Sequence, residues 1–338
     1  MIPPCLAANL PITFEGNVFM ENRMMLDRRS LMTFTLSALT SMSMGKKAFA
    51  APQTIRIGYQ KYGTLILLKE KGFLETALAN TGIAVEWSQF PAGPPLLQAM
   101  AAGAIDIGQT GDLPPVFAQA NIPDSIVYFG HEPKCGSSEA IIVHDDSPIR
   151  SIEDLKGKKV AVTRGSDANW LLLSSLLQKG LSFHDIHLSY LLPAAARPAF
   201  EAGTIDAWAI WDPYLSAVGQ KVRPLATGAD IKGAMAFYLA SLSFYKNNPN
   251  LLSIVRNAII ECDNWAQTHK EDVTHILASS TGLSPDIVGN SVEKLTFRFN
   301  TMDDDAIAQQ EAIAAAFYKE KLITTQPDIR KNIAQLDR

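Results

Sequence analysis

Cysteine is scarce in this chain, with 3 in 338 residues, and that excludes a disulfide-stapled fold. Charge is sparse too: 34 acidic and 30 basic residues make up 19% of the chain and leave a net charge of −4. No basic excess remains to hold a nucleic-acid backbone, and 47% hydrophobic residues is too many for a disordered chain. From residue 51 onward no run reaches the roughly 18 uninterrupted apolar residues of a membrane span. Catalytic signatures are missing as well. Without a Gly-x-Ser-x-Gly elbow, a Walker A loop or a dinucleotide Gly-x-Gly-x-x-Gly, nucleophilic, nucleotide-dependent and cofactor chemistry have no motif behind them. His131, His144, His184, His187, His269 and His275 include no His-Glu-x-x-His pair and read as surface residues, not metal ligands.

What is present divides into an export segment and, at roughly 150 residues per domain, about two folded domains. Leu26 to Ala50 carries Arg28-Arg29, an apolar stretch from Leu31 to Leu39, and Ala48-Phe49-Ala50, the three parts of an export signal cut near Ala50/Ala51. That signal reads as complete from Met24 or Met25, and Met1 to Arg23 adds nothing to it. Arg28-Arg29-Ser30-Leu31 suits a twin-arginine route and an ordinary secretory route equally. Cys5 precedes the apolar core and cannot carry a lipid anchor, so the mature protein reads as soluble and periplasmic. An oxidising compartment permits Cys135 and Cys262 to pair, and nothing in the sequence places them together.

Beyond residue 51, short β-type runs alternate with longer helical patterns, the signature of an α/β fold with mostly parallel sheets. Strands are expected at Ile55–Tyr59, Ala84–Phe90, Ile105–Thr110, Ile126–Phe129, Glu139–His144, Lys159–Thr163, His187–Leu191, Ala207–Trp211 and Ala236–Leu242. Helices are expected at Thr64–Leu78, Leu96–Ala102, Ser151–Leu155 and Asn169–Lys179. A helix-rich end follows, with Asn250–Lys270, Glu271–Ser279, Pro285–Val292 and Asp304–Tyr318.

An internal echo runs through this pattern. Ala102-Gly103-Ala104-Ile105-Asp106 followed by Asp112 matches Ala202-Gly203-Thr204-Ile205-Asp206 followed by Asp212, 100 residues later. Each copy ends a helix at a glycine able to take the left-handed cap conformation, then runs a strand to an Asp and a Pro that suit a helix start. The pattern is common α/β grammar; it is also what two similar lobes facing one cleft would show, since open α/β sheets bind ligands at the carboxyl ends of their strands.

Small or capping residues precede several helix starts, and these are the candidate ligand-binding positions: Gln60 and Thr64, Gly93, Thr110-Gly111-Asp112, Gly165-Ser166, and Trp211-Asp212. Amide N–H groups at a helix start, with the positive end of its dipole, suit an oxyanion without a full counter-charge. Ordinary capping is the competing explanation at each one. A carboxylate that caps a helix also occupies the donors an anion would use, so Asp112 and Asp212 read as loop-shaping. Trp211, at a strand end beside a turn, suits an apolar wall next to an anionic head.

The segments Ile57-Gly58-Tyr59-Gln60-Lys61, Phe90-Pro91-Ala92-Gly93-Pro94, Thr110-Gly111-Asp112 and Ala207-Trp208-Ala209-Ile210-Trp211-Asp212-Pro213-Tyr214 together resemble the aliphatic sulfonate-binding proteins of bacterial ABC importers. Leu155-Lys156-Gly157-Lys158-Lys159 and Gly165-Ser166 extend the likeness over essentially the whole mature chain. The resemblance implies a two-lobed periplasmic binding protein fold of the type II kind, two mixed sheets flanked by helices with a hinge between the lobes. Lobe one would hold 51–144 and 234–338 and lobe two 145–233, with Glu139–His144 and Ala236–Leu242 as the crossings. It implies a monomer that captures an alkanesulfonate for sulfur acquisition and delivers it to an ABC permease and its ATPase, with no cofactor, metal or nucleic acid. A binding protein for taurine, nitrate or an organosulfate is the alternative, and a thiamine-precursor enzyme on the same fold a more distant one. The chain departs from the family pattern at Arg164, at Asp167-Ala168-Asn169 and in the loop His131-Glu132-Pro133-Lys134-Cys135-Gly136, which bears on tail specificity.

Overall fold

The computed structural model describes residues 53–219, 221–231 and 233–336, and the export segment expected at 1–50 lies outside the described residues. Strands β1 (Thr54–Tyr59), β2 (Ala84–Gln89), β3 (Ile107–Thr110), β4 (Ile126–His131) and β5 (Glu139–His144) come first in the chain. Then follow β6 (Lys159–Val162), β7 (His187–Tyr190), β8 (Ala207–Trp211), β9 (Val222–Thr227) and β10 (Phe237–Ser241). Helices α1 (Thr64–Lys71), α2 (Phe73–Leu78), α3 (Gly93–Ala101) and α4 (Leu113–Asn121) connect strands of the first set, and α5 (Asp167–Gln178), α6 (Pro193–Glu201) and α7 (Tyr214–Ala217) those of the second. The C-terminal part holds α8 (Leu242–Asn247), α9 (Pro249–Thr268), α10 (Lys270–Thr281), α11 (Pro285–Val292) and α12 (Asp304–Lys319). Among the described residues no helix is long and apolar enough to cross a membrane.

The strands form two sheets, in the orders β2-β1-β3-β10-β4 and β7-β6-β8-β5-β9. Each is mixed in the same way. Three strands run parallel, and the fourth, β10 or β5, is antiparallel to both of its neighbours. The two sheets are thus copies of one topology, each receiving one strand from the far side of a crossing. Glu139–His144, expected in lobe one, pairs with β8 and β9 of the second sheet. The crossings are therefore the segments just before β5 and β10, not those strands themselves. They run side by side: Cys135 N donates to Ala234 O at 2.8 Å, and Ala229 N to Gly136 O at 2.9 Å.

The internal echo survives at the level of hydrogen bonds. Gly103 and Gly203 take φ of 72° and 69°, the left-handed conformation that glycine reaches without steric cost. Ala104 N closes on Ala99 O at 2.8 Å, and Thr204 N on Ala199 O at 3.0 Å. Asp106 then accepts from the backbone N of Arg56 at 2.9 Å, while Asp206 accepts from that of Lys159 at 2.7 Å. Each carboxylate therefore pins the start of one strand to the next. The copies diverge further on, at Asp112 and Asp212.

Elements depart from expectation where local chemistry intervenes. Gly72, at φ 67°, splits the expected Thr64–Leu78 helix in two. The strand β9 escapes a propensity reading because Pro224 interrupts it, and Pro is tolerated there because β9 is an edge strand. The helix α6 hides behind Pro193 and Pro198 in the same way.

Apolar side chains fill both faces of each sheet. A further cluster joins the halves: Leu113 and Val116 of α4 pack with Trp170 and Leu173 of α5 and with Ile313 and Phe317 of α12. The Phe117 and Phe317 rings meet edge to face with centroids 5.3 Å apart. Leu173 is fully buried in this cluster. The Leu173→Ala variant is expected to lose about 2–5 kcal/mol in urea unfolding, and a loss below about 1 kcal/mol would deny that the cluster ties the halves together.

Candidate functional site

The carboxyl ends of β1, β3 and β8, with the two crossings, line a partly open cavity of about 130 Å³. Six of the expected positions line it: Gln60, Gly93, Thr110, Gly111, Trp211 and Asp212. Thr64, Asp112, Gly165 and Ser166 do not, and each is held by a specific interaction.

Thr64 opens α1 with its hydroxyl turned inward, 3.0 Å from Glu132 Oε1 and 2.7 Å from Asp263 Oδ1. Glu132 Oε1 also accepts from the Gln109 side-chain amide and, at 3.1 Å, from the Tyr238 hydroxyl. The carboxylate of Glu132 thus occupies the helix start where an external anion was expected. A hydroxyl has one proton to give, so one of the two carboxyls beside Thr64 must be protonated. Burial, then the charge of Glu132, pushes Asp263 up to about 8, and burial raises Glu132 as well, so the pair holds a proton between them at neutral pH.

Ser166 caps α5: its hydroxyl donates to Thr163 O at 2.8 Å and accepts from Asn169 N at 3.3 Å. Gly165 N donates to the Asn169 side chain at 3.0 Å. These donors are consumed within their own turn, and it is the next residue, Asp167, that faces the cavity. Asp112 is fully buried behind the wall and accepts from Gln309 Nε2 at 3.0 Å.

The helix starts are poorer in donors than their position suggests. In α3, Gly93 is followed by Pro94-Pro95, and in α4, Leu113 by Pro114-Pro115. Proline carries no N–H, so only the first residue of each triplet has an amide to offer. Gly93 is required by space instead, since a Cβ there would lie 2.7 Å from Pro114 Cγ. Gly111 is required by the opposite half, because a Cβ would lie 2.7 Å from the Asp167 carboxyl.

Asp212 lines the cavity with its charge already matched. Oδ1 accepts from Ser216 N at 2.9 Å and Ser216 Oγ at 2.6 Å, and Oδ2 pairs with Lys294 Nζ at 2.9 Å. Ser216 Oγ also meets Ser291 Oγ at 2.7 Å. These bonds tie the end of β8 to α11 and the turn after it. The open part of the wall is mixed. Gln60, Lys61, Thr110 and Gly111 supply polar groups, and Phe90, Trp211, Tyr214, Met235 and Leu295 supply apolar surface. Trp211 and Tyr214 stand edge to face at 5.9 Å, a rigid aromatic corner.

Two expectations about other residues change. His131 is buried, with Nδ1 2.8 Å from Glu132 O, and His144 stacks on Phe200 at 4.3 Å with Nε2 2.9 Å from Phe200 O. Neither is a surface histidine; both support the backbone. Among the described residues no group of His, Cys, Asp and Glu is arranged to hold a metal. Cys135 and Cys262 are both free. Sequence reasoning did not assign Glu132, Asp167, Tyr214, Met235 or Leu295 to the cavity; the signals available were that Tyr214 closes a segment that resembles the family and that Glu132 and Asp167 fall in segments that depart from it.

The family profile described as NMT1-like matches residues 50–279. The chain is similar to the periplasmic aliphatic sulphonate binding protein SsuA from Escherichia coli, with 39% identity, a TM-score of 0.76, and coverage of 84% of this chain and 98% of that one. It is similar to the alkanesulfonate-binding protein SsuA from Xanthomonas axonopodis pv. citri, solved bound to MOPS, with 36% identity, a TM-score of 0.78, and coverage of 84% and 99%. A more distant likeness, 25% identity over 264 residues and 60% of this chain, is to the 2'-hydroxybiphenyl-2-sulfinate desulfinase of Rhodococcus erythropolis, of which it covers 71%.

A carboxyl lifted by burial favours the fold fully below its unfolded value of about 4 and loses that contribution as pH rises through its folded value. For Asp263 the loss is complete near pH 8. Asp263→Asn is therefore expected to flatten the decline in melting temperature between pH 6 and 9, and an unchanged decline would remove Asp263 as a titrating group.

Proposed function

The chain belongs to the NMT1-like family, and we propose that it is the solute-binding component of an ABC importer, capturing aliphatic sulfonates outside the cytoplasmic membrane for sulfur supply. The observation that carries this is the division of one cavity into a polar corner at Gln60, Thr110 and Gly111 and an apolar wall at Phe90, Trp211, Met235 and Leu295. A sulfonate keeps one negative charge at every biological pH, so amide and hydroxyl donors suffice to hold its oxygens, and its carbon tail needs a dry wall. Nitrate and sulfate have no tail to place there. Closing the two halves excludes water and presents a shape that a permease distinguishes from the empty form.

Binding without turnover is the reading for this chain. Cys135 lines the cavity, and its thiol is engaged with the carbonyl of Lys294 at 3.4 Å. The export signal at Leu26 to Ala50, a monomeric mature protein in the periplasm, and delivery to a permease with its ATPase complete the proposal. The relatives support it, two of them being sulfonate-binding proteins matched along nearly their whole length.

Ethanesulfonate at 100 times its dissociation constant is expected to add about 2.7 kcal/mol to stability, read as a raised melting temperature. Trp211→Ala is expected to weaken butanesulfonate by about 1–2 kcal/mol, more than it weakens methanesulfonate, as measured by calorimetry. No stabilisation by any alkanesulfonate would refute the ligand class, and equal losses for the two tails would remove Trp211 from the tail wall.

A further inference from the structure

Three carboxyl groups meet where the two halves touch, beside the cavity. Asp112 follows β3, Glu139 opens β5 and Asp167 opens α5. Asp112 and Glu139 are 0% and 1% exposed. Oδ1 of Asp112 and both carboxyl oxygens of Glu139 have no hydrogen-bond partner. Asp167 presses against Gly111 from the other half. Glu139 lies against Gly228 of the second crossing, its Oε1 3.0 Å from where a Cβ would stand.

The surroundings do not neutralise this cluster. From α12 comes the uncharged Gln309; from α3 and α4 come Pro94 and Phe117, packed on Gly165. Cys135 of the first crossing is the further titratable group that Glu139 senses. The nearby cations are committed elsewhere: Lys294 to Asp212, Lys134 to Asp305, and Arg164 over the Tyr190 ring. Among the described residues Lys61 lines the cavity and forms no ion pair with any of the three carboxyls.

We propose that the cleft captures a proton together with its anion: closure packs Asp112 of one half against Asp167 of the other, with Glu139 at the crossing, and the three fit together only when they hold a proton. The proposal rests on the cleft being an anion receptor. Its physical basis is that neighbouring carboxylates in a dry site cannot all ionise. Burial, then the charge of Asp167, lifts Asp112 to about 8; burial lifts Asp167 to about 6; burial, then Asp167 and Asp112, lifts Glu139 well above its usual value. Opening returns Asp167 to water, where a carboxyl ionises near 4, and parts it from Asp112, whose raised value then falls with the loss of the neighbouring charge and of the dry contact. Between the open and closed values, closing takes up a proton from solution, and affinity falls as pH rises, by up to about tenfold per pH unit for each proton. The proton also offsets charge that the anion brings into a wall already rich in carboxyls.

The test is calorimetric titration of the mature protein with ethanesulfonate at pH 5.5, 7 and 8.5, in buffers of low and high ionisation heat. About half to one proton is expected to be taken up per ligand at pH 7, with a dissociation constant at pH 8.5 at least about tenfold above that at pH 5.5. Asp167→Asn is expected to cut that ratio at least about threefold, and Glu139→Gln serves as the second variant if the first does not fold. Zero proton uptake with a ratio within about twofold would overturn the proposal while leaving the anion receptor intact. Absence of binding heat at every pH would sink the receptor reading instead. The cluster is then judged on ligand-free melting: a decline from pH 6 to 8.5 that Asp167→Asn reduces upholds the carboxyl cluster, and identical profiles overturn it.

Discussion

Enclosing charge away from water is the constraint around which this cleft is built. A carboxylate moved into a dry site costs several kcal/mol unless donors, a counter-ion or a proton compensate it. The walls of the cavity show the first two remedies in turn. Glu132 is surrounded by the hydroxyls of Thr64 and Tyr238 and the amide of Gln109. Asp212 is balanced by Lys294 and two donors from Ser216. With those charges accounted for internally, Gln60, Thr110 and Gly111 remain as the uncharged polar groups of the cavity wall, Gln60 Nε2 donating to Gln109 O at 3.3 Å and Thr110 Oγ1 to Gly111 O at 3.0 Å until a ligand competes for them.

The same constraint explains why glycine and proline crowd the cleft. Two halves can close over a small solute only if their backbones approach tightly, and Gly111 opposite Asp167 leaves no room for a side chain, while Gly93 packs as tightly on Pro114 of its own half. Proline pairs at the starts of α3 and α4 fix the local direction of the chain while removing amide donors that closure would otherwise bury unsatisfied. The duplicated topology supplies the frame. Each half sends the carboxyl ends of its parallel strands to the cleft, and each receives one antiparallel strand from across it.

The frame was legible in the sequence because it depends on local signals. Periodicity and the glycine-to-aspartate echo identified most strands and the long C-terminal helices, and the echo became matching hydrogen bonds from Asp106 and Asp206. Cavity residues next to strand ends, such as Gln60, Thr110 and Trp211, were legible for the same reason. Long-range partners were not. Nothing within a few residues of Thr64 announces that its hydroxyl faces Glu132 and Asp263, which lie 68 and 199 residues away. Gly165 and Ser166 carry the right residue types for an anion site, yet Asn169 and Thr163 consume their donors. Met235 and Leu295 look like any core residues until the second crossing and the turn after α11 bring them to the cavity.

The whole account turns on uncharged donors gripping a sulfonate between two closed halves. A crystal structure of the protein with ethanesulfonate tests this most directly. The account requires the sulfonate oxygens to sit at Gln60, Thr110 and Gly111 with the ethyl group toward Trp211 and Met235. A sulfonate held outside the cavity, or bound only through the Lys61 ammonium with the halves apart, would contradict it.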